Sequence, residues 1–382
     1  MAKCLNDRYL LLRQLGSGSQ GVVYLAKDVI SEREVAVKAV RSDSSALIAE
    51  FEWLAAISHP CLAEVLDVGV AQIAAGEVNA GDTFFVSEFI AGPDVLSGDR
   101  ESEGMESQLI GLCHEIASAL SQLHRRGLAH GDVKPDNMRY RTHQRKAAVL
   151  LDLGLAQAAG QGIARGTLAY MAPEALGGYT DERSDIYSLG ASLVEVATGA
   201  PLHSGETRQD IVSQILNASE VQLRPRLAHL ATPLADLLVS LVASAPADRP
   251  SGIPALLAHI DRIREALHLP TVAATHRPNF ARPEFTGREE ALSAIVRAFA
   301  EFSAGRSSEA LAITGLSGSG RTRTMEEALL LHCIDAAKKS RAPLLLVRLP
   351  AEQLNSDPQA TIDSYAQSDT KQVLWIETMA AV

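Results

Sequence analysis

Short stretches in which apolar and polar residues alternate dominate the first quarter of the chain. YLLLRQLG, GVVYLAKD and REVAVKAV are rich in β-branched and aromatic residues and are separated by turn residues, a pattern typical of antiparallel strands. SSALIAEFEWLAAISH then places apolar residues at helical spacing, and TFFVSEFIAG has the pattern of another strand. The pattern predicts a small lobe over residues 7–91 that is mainly antiparallel β-sheet.

Beyond this lobe the apolar residues recur mostly at helical spacing. The segments with this spacing are ESQLIGLCHEIASALSQLHRRG, RSDIYSLGASLVEVATG, RQDIVSQILNA, PLADLLVSLVAS and IPALLAHIDRIREAL. They predict a helical lobe over residues 92–267. The two lobes together give an α+β domain over residues 7–267.

The last third of the chain has a different organisation. Residues 268–283 contain several prolines and little periodicity, so we expect a linker there. After it, predicted helices alternate with the predicted strands ALAIT, PLLLVRL and QVLWIETM. This alternation indicates a separate α/β unit over residues 284–382. With so few strands, the unit is either reduced or part of a longer protein.

Composition and charge exclude several classes of function. The 382 residues include 47% hydrophobic and 21% charged residues, which is ordinary for a globular protein. A formal net charge of −11 argues against a nucleic-acid or anionic-membrane surface. The four cysteines are far apart and form no metal or redox motif, and no apolar stretch is long enough to cross a membrane. We therefore expect a cytoplasmic protein with reduced cysteines.

A glycine-rich turn near the N-terminus suggests phosphate binding. Gly16, Gly18 and Gly21 have the spacing G-x-G-x-x-G and lie between two predicted strands, whereas a dinucleotide-binding turn should open a helix. A glycine loop over ATP phosphates lies on a hairpin and is followed by a lysine, and Lys38 in VAVK has that place. A flexible hairpin with a surface lysine remains the alternative on these features alone.

A second group of motifs makes the assignment specific. The stretch LAHGDVKPDNMRY places His130, Asp132, Lys134 and Asn137 in the order H-x-D-x-K-P-x-N. LLDLGLA then contributes Asp152, and GTLAYMAPEAL, RSDIYSLG and PADRPS follow in order. Taken together, these motifs resemble those of the eukaryotic-like (Hanks-type) serine/threonine protein kinases found in bacteria. The resemblance covers roughly residues 7–267 and implies a two-lobed protein kinase fold.

The resemblance implies catalytic roles for some of the polar residues of these motifs. Asp132 would accept the proton of the attacking hydroxyl, and Lys134 would offset charge on the γ-phosphoryl group. Lys38 would hold the α- and β-phosphates, braced by a glutamate of the following helix. Kinase spacing favours Glu50 over Glu52 for that brace.

The resemblance also implies a nucleotide site with its metal. Asn137 and Asp152 would hold Mg²⁺. The glycine loop would cover the phosphates of ATP, and further residues would contact its adenine and ribose. These nucleotide contacts are Val23, Ala36, Glu88, the backbone of Phe89 and Ile90, and Asp94, with Ser87 as the gatekeeper.

Other residues of the motifs are expected to be structural. The resemblance implies a buried ion pair between Glu174 and Arg249, and it implies that Asp185 braces the backbone of the catalytic loop. His130 is expected to be packed rather than catalytic.

Two positions depart from the usual pattern of these kinases. Gly131 stands where many carry an arginine that receives an activation-loop phosphate, and the only hydroxyl residues from Asp152 to Glu174 are Thr167 and Tyr170. We infer that loop phosphorylation does not activate this protein. Arg139 stands where an apolar residue usually lies under the adenine. Two interpretations remain open: the nucleotide packs more weakly here, or a bulge shifts the register of the strand.

A second glycine-rich loop lies in the C-terminal unit. GLSGSGRT follows a predicted strand and opens a predicted helix, as a phosphate-binding P-loop does. Gly315, Gly320 and Thr322 fit the P-loop pattern, but Arg321 replaces its lysine. With FTGREEAL, the loop resembles the start of AAA-like or STAND-type ATPase modules. A glycine-rich turn without a ligand is the alternative.

These observations predict an ATP- and Mg²⁺-dependent kinase that phosphorylates serine or threonine of a protein substrate in bacterial signalling. They predict no nucleic-acid partner for the kinase domain and no membrane partner, and they leave the oligomeric state open. A pseudokinase scaffold, which would bind a nucleotide or a partner without phosphotransfer, is the main alternative. Phosphorylation of a small molecule is a third possibility.

Overall fold

The computed structural model describes the chain in segments. The described residues are 4–18, 21–40, 57, 59–97, 104–141, 147–152, 157–158, 160–161, 166–269, 288–303, 321–338, 345–350 and 372–377. The chain divides into two units. The first unit comprises Met1–Ala55, Val65–Phe89 and Pro283–Val382, and the second comprises Ala56–Glu64 and Ile90–Arg282.

An antiparallel sheet forms the N-terminal part of the first unit. Its strands are β1 (Cys4–Leu5), β2 (Tyr9–Gly18), β3 (Gly21–Asp28), β4 (Glu34–Val40), β5 (Val65–Val70) and β6 (Thr83–Glu88). They lie in the order β1-β2-β3-β4-β6-β5, and every neighbouring pair is antiparallel. The β-sheet expected for the small lobe is therefore confirmed. The helix expected in SSALIAEFEWLAAISH lies outside the described residues, apart from Ile57 and His59.

The two faces of this sheet differ in a way that follows from the alternation of side chains along a strand. Every second residue of β3, β4 and β6 enters one buried apolar cluster, which includes Tyr24, Val37 and Phe84. The residues between them point to the opposite face. Lys38 lies on that second face, because it pairs directly with Val23 of β3 and Phe85 of β6.

The second unit is mainly helical. Its helices are α1 (Met105–His124), α2 (Pro173–Leu176), α3 (Glu182–Thr198), α4 (Arg208–Leu216), α5 (Glu220–Leu223), α6 (Thr232–Leu241) and α7 (Ile253–Ala266). Its strands are β7 (Leu128–Ala129), β8 (Met138–Tyr140), β9 (Ala148–Leu150), β10 (Gln157–Ala158), β11 (Gly160–Gln161) and β12 (Tyr179–Thr180). Each of the five helical segments expected in this part of the sequence forms a helix, so the prediction of a helical lobe is confirmed.

Helix α3 is the central element of the second unit. Asp181 accepts hydrogen bonds from the backbone of Arg183 and Ser184, and Ser184 bonds back to the Asp181 backbone, which gives a capping box. The helix ends at Gly199, whose φ of 76° lies in the left-handed region that favours glycine. Because α3 packs against α1 and α6, it is buried along nearly its whole length. It provides a rigid base for the loops that contact it.

The remaining part of the first unit follows the second unit in sequence. Helices α8 (Glu289–Ser303) and α9 (Arg321–Lys338) pack on each other through Ile295, Phe299, Met325 and Ala328. Helix α9 also contacts β5, an edge strand of the sheet. Strands β13 (Leu345–Pro350) and β14 (Gln372–Glu377) form a parallel pair. The strand expected in ALAIT lies outside the described residues.

A buried carboxyl group in the second unit should make stability depend on pH. Glu115 of α1 is 5% exposed and accepts a 2.7 Å hydrogen bond from the backbone N–H of Ala148. Burial raises the pKa of Glu115 to about 7, and this hydrogen bond only partly opposes the rise. Because the folded pKa exceeds the unfolded one, the protonated form is favoured in the fold. Stability is therefore lost as the pH rises from about 4.5 to about 7.

We expect Glu115→Gln to remove most of this pH dependence. Melting temperatures of the two proteins should agree closely at pH 5 and separate at pH 8, where the wild-type protein should melt lower. The measurement is thermal unfolding between pH 5 and 8, with the exposed Glu220→Gln as the matched control. A wild-type melting curve that shifts with pH just as the Glu115→Gln curve does would contradict this expectation.

No described helix is long and apolar enough to cross a membrane.

Candidate active site

The segment that carries the catalytic-loop motif is held by its backbone to α3. The N–H groups of His130 and Gly131 donate hydrogen bonds of 2.7 and 2.9 Å to the two carboxylate oxygens of Asp185. His124 Nε2 also lies 2.8 Å from Asp185 Oδ2. Burial would raise the pKa of Asp185, but the His124 ring and the backbone donors outweigh it and lower that pKa. Asp185 thus braces the loop, as the sequence predicted.

Two residues at the start of the loop have structural roles. His130 is fully buried, its Nδ1 accepts from the Asp132 N–H, and its Nε2 lies 3.2 Å from the Leu151 carbonyl oxygen. The expectation that His130 is packed is therefore confirmed. Gly131 has a φ of 76°, in the left-handed region that is strained for residues with a side chain. Glycine at this position therefore also suits the local backbone.

Asp132 is the centre of a hydrogen-bonded polar cluster. Its Oδ2 lies 2.8 Å from Lys134 Nζ and accepts a 3.1 Å hydrogen bond from Asn137 Nδ2. Its Oδ1 accepts a 2.8 Å hydrogen bond from the Thr167 N–H. Burial opposes ionisation, but the Lys134 ammonium and Thr167 lower the pKa of Asp132 below its ordinary value. Asp132 is therefore a fixed, ionised acceptor at neutral pH.

The side chains of Lys134 and Thr167 are also joined. Lys134 Nζ donates a 2.6 Å hydrogen bond to Thr167 Oγ1, so this lysine contacts the carboxylate and the hydroxyl at once. Thr167 precedes a short 3-10 turn, Leu168–Tyr170, and Tyr170 donates a 2.6 Å hydrogen bond to Glu195 of α3. A small cavity beside Asp132 is lined in part by Val133, Thr167, Tyr170 and Met171.

Asn137 and Asp152 fit a magnesium site by their chemistry. The Asn137 amide nitrogen donates to Asp132, so its oxygen Oδ1 is the atom that can bind a cation. The Leu151 N–H donates a 2.7 Å hydrogen bond to the Asn137 carbonyl, which holds the residue before Asp152 beside the loop. Mg²⁺ favours such a small set of oxygen donors, completed by water and phosphate. Among the described residues, no group of three or more His, Cys, Asp and Glu side chains could hold a metal.

The second unit also contains two of the nucleotide contacts expected from the sequence. The Ile90 side chain is buried against Ala63 and Val149, so only its backbone can face a ligand. Asp94 Oδ1 accepts a 3.0 Å hydrogen bond from the Leu96 N–H, which fixes the carboxylate at the start of a short turn.

The first unit holds the remaining expected contacts. Its glycine loop is a hairpin, since Gly16, Ser17 and Gly18 of β2 pair with Val23, Val22 and Gly21 of β3. The three glycines therefore lie at the paired ends of two strands, as a hairpin requires, and not at the start of a helix. Gly21 has a φ of 144°, and a Cβ there would lie 1.9 Å from the Ala39 carbonyl oxygen, so only glycine fits.

Three of the nucleotide contacts predicted for the first unit share one face of the sheet. Val23 pairs with Lys38, and Leu25 pairs with Ala36, so these side chains lie on the face opposite the apolar cluster. Glu88, the last residue of β6, pairs with Val35 of the apolar cluster and therefore belongs to the other face. Glu50 lies outside the described residues, and its predicted contact with Lys38 stays a prediction.

The second glycine-rich loop is described only at its end. Gly315 and Gly320 lie outside the described residues, whereas Arg321 and Thr322 are the first residues of α9. Nucleotide binding at this loop stays a prediction.

Four contacts near the loop were not foreseen from the sequence. They are the bonds of Thr167 to Asp132 and to Lys134, the bond between Tyr170 and Glu195, and the contact of His124 Nε2 with Asp185. For Thr167 and Tyr170, one signal was available. They are the only hydroxyl residues between Asp152 and Glu174. Nothing in the local sequence indicated the partner of His124, which lies 61 residues away.

Comparisons with known proteins agree with this geometry. A family model described as a protein kinase domain matches residues 9–261. The chain is similar to the DNA damage-responsive serine/threonine-protein kinase RqkA of Deinococcus radiodurans, with 34% identity over 273 residues. It is also similar to the serine/threonine-protein kinase PknB of Mycobacterium tuberculosis, with 31% identity over 263 residues.

These similarities cover different shares of the chains compared. The match to RqkA covers 67% of this chain and 39% of that relative. The match to PknB covers 64% of this chain and 41% of that relative. The chain therefore spans about two fifths of the length of these curated relatives.

Proposed function

The chain belongs to the protein kinase family, and from this premise we propose that it transfers the γ-phosphoryl group of ATP to serine or threonine of protein substrates. The observation that carries the proposal is the cluster around Asp132. An ionised carboxylate, an ammonium group and the amide of Asn137 are held together there by direct contacts of 2.8 and 3.1 Å. Phosphoryl transfer requires this positioning of charges more than it requires covalent chemistry.

In the proposed reaction Asp132 accepts a hydrogen bond from the substrate hydroxyl and orients its oxygen toward the γ-phosphorus. The hydroxyl oxygen forms a bond to phosphorus, the bond to the β-γ bridging oxygen breaks, and the hydroxyl proton passes to Asp132. Lys134 offsets the negative charge on the transferred group. Asn137 and Asp152 would hold Mg²⁺, which neutralises phosphate charge when it is bound.

The proposal also assigns roles in nucleotide binding. Lys38, braced by Glu50, would bind the α- and β-phosphates, and the glycine hairpin would cover them. Val23 and Ala36 would contact the adenine, and Asp94 would bind the ribose. A protein substrate is favoured over a small molecule because the GTLAYMAPE segment is intact, and the N–H of its Thr167 donates a 2.8 Å hydrogen bond to Asp132.

The test is transfer of label from γ-labelled ATP, in the presence of Mg²⁺, to the chain itself and to added basic proteins. We expect transfer by the wild-type protein and by Asp136→Ala, since Asp136 is exposed beside the motif. We expect none by Asp132→Ala or Lys38→Ala. Absence of transfer by a folded wild-type protein whose melting temperature still rises with ATP would favour the pseudokinase scaffold instead.

We also propose that phosphorylation of the activation segment does not switch this kinase on. The Thr167 N–H donates to Asp132, and its hydroxyl accepts from Lys134 Nζ. A phosphate on Thr167 Oγ1 would carry about −1.5 to −2 charges and would compete with Asp132 for Lys134. The absence of an arginine at position 131 agrees with this proposal.

Substitutions at Thr167 test whether its unmodified hydroxyl group supports activity. We expect Thr167→Val to lower kcat about tenfold, because it removes the acceptor for the charged Lys134 Nζ. Thr167→Ser, which keeps the hydroxyl, should retain most of the activity. Kinetic assays combined with intact-mass measurements should show that the active wild-type protein carries no phosphate at Thr167. Stoichiometric phosphate there that rises and falls with activity would refute the proposal.

A further inference from the structure

Arg139 lies on β8, two residues after Asn137, at the position where kinases of this type usually carry an apolar residue. Its side chain is only partly exposed. Nη1 donates a 3.3 Å hydrogen bond to the carbonyl oxygen of Gly92. Strand β8 also pairs in register with β9, from Met138 with Leu150 to Tyr140 with Ala148. Because this pairing is regular, β8 has no bulge that would shift the register at Arg139. Arg139 is therefore an ordinary paired residue of the strand.

The segment Gly92–Asp94 lies directly against β8. The Tyr140 N–H donates a 3.0 Å hydrogen bond to the Pro93 carbonyl, and Asp94 forms an antiparallel bridge with Arg139. A Cβ on Gly92 would lie 1.6 Å from the Tyr140 carbonyl oxygen. Because the backbones approach this closely, only glycine fits at position 92. The Arg139 side chain adds the third link across this contact.

This contact fixes the carboxylate of Asp94. Asp94 Oδ1 accepts from the Leu96 N–H at 3.0 Å, and its main-chain oxygen accepts from Ser97 Oγ at 2.7 Å. No hydrogen bond to its other carboxylate oxygen, Oδ2, is found among the described residues. Asp94 is thus held in one orientation by the turn that follows it and by β8 beneath it. The same strand begins directly after Asn137.

We propose that Arg139 is a positioning residue for the ribose of the nucleotide. By holding the Gly92 carbonyl on β8, it keeps Asp94 in register with Asn137, so that Asp94 Oδ2 can accept a hydrogen bond from a ribose hydroxyl. An apolar residue at position 139 would keep the strand pairing and lose the side-chain link. The inference rests on the proposed function, because it takes ATP as the ligand of this site.

The test compares ATP with 2′-deoxy-ATP and 3′-deoxy-ATP as phosphoryl donors for the full chain. Loss of a hydrogen bond to a charged acceptor should raise KM about tenfold for one of the two deoxy nucleotides. The measured quantity is the ratio of KM for that deoxy nucleotide to KM for ATP. In Arg139→Leu we expect this KM ratio to fall to within about twofold. KM for ATP should rise, and kcat should change by less than about threefold. In Asp94→Ala the KM ratio should fall in the same way. The double variant Asp94→Ala with Arg139→Leu should show no further fall.

Further variants separate positioning from stability. Arg139→Lys keeps a donor of similar reach and should retain part of the ratio. The Arg139→Gln amide is too short to reach the Gly92 carbonyl, so the KM ratio should fall in this variant as well. If Arg139→Leu does not fold, Arg139→Gln is the variant that tests the role of Arg139. Arg141→Leu is the matched control, since Arg141 donates to the Pro60 carbonyl at the end of the same strand. It should keep the wild-type ratio.

Different results would contradict the role of Arg139 and the proposed kinase activity. A wild-type ratio in Arg139→Leu or Arg139→Gln, or equal KM values for all three nucleotides in the wild-type protein, would overturn the role of Arg139 and leave the kinase proposal intact. Absence of ATP binding by the wild-type protein in calorimetry would overturn the kinase proposal itself.

Discussion

Replacement of Asp132 by asparagine is expected to lower kcat about a thousandfold and to leave the Kd for ATP nearly unchanged. Asparagine has the same shape, and its amide oxygen can still accept from the Thr167 N–H at 2.8 Å. It cannot accept a proton, and it loses the charge that faces Lys134 Nζ at 2.8 Å. The loss therefore falls on the chemical step rather than on folding or nucleotide binding.

Steady-state phosphotransfer and calorimetric titration with ATP are the two measurements for this variant. Asp136→Asn serves as the matched control, because Asp136 is exposed four residues after Asp132 and has no part in the proposed site. It should keep kcat within about twofold of the wild-type value. A kcat for Asp132→Asn within about threefold of wild type would show that Asp132 does not orient the acceptor.

Replacement of Arg249 by leucine is expected to lower the free energy of unfolding by about 3–5 kcal/mol. Its side chain is fully buried and binds both carboxylate oxygens of Glu174, at 2.6 and 2.9 Å. It also donates to three backbone carbonyls, and its guanidinium lies 4.9 Å from the centre of the Tyr187 ring. Leucine would leave Glu174 with a charge that has lost its partner.

The pH for this experiment follows from Glu174. Burial opposes ionisation, but Arg249 outweighs it and lowers the pKa of Glu174 below its ordinary value. For a carboxyl group with a lowered folded pKa, the stabilisation is complete above the unfolded pKa and is lost as pH falls through the folded pKa. Urea unfolding at pH 7 therefore measures the full effect.

Two further variants test the origin of this effect. Arg224→Leu removes an exposed arginine that pairs with Glu220 and Asp236, and it should change stability by less than about 1 kcal/mol. Glu174→Leu combined with Arg249→Leu should lose less than the sum of the single losses, since no lone charge remains. An Arg249→Leu protein as stable as Arg224→Leu would contradict the importance of the pair.

Much of the fold could be predicted from the sequence because local periodicity determines it. Side-chain alternation in VAVK determines that Lys38 lies on the face opposite the apolar cluster. Helical spacing predicts α1, α3 and α7 within a few residues of their ends. The pairing of Glu174 with Arg249 was foreseen only through the family resemblance, since 75 residues separate them.

Other parts of the site could not be predicted, because they depend on contacts between distant segments. Thr167 meets Asp132 across 35 residues, and Arg139 reaches Gly92 across 47. No local pattern encodes these pairs. Arg139 looked like a defect in the nucleotide site from its position alone, and its hydrogen bond to Gly92 now gives it a partner. The contact of α9 with β5 has no signal in the sequence either.

The chemical identity of the phosphorylated residue decides whether the protein is a serine/threonine kinase. The full chain should be incubated with γ-labelled ATP and Mg²⁺ and then hydrolysed in acid, so that labelled amino acids can be separated. We expect label in phosphoserine or phosphothreonine for the wild-type protein and almost none for Asp132→Asn. A folded wild-type protein that binds ATP and yields neither amino acid with label would contradict it, as would equal labelling by Asp132→Asn.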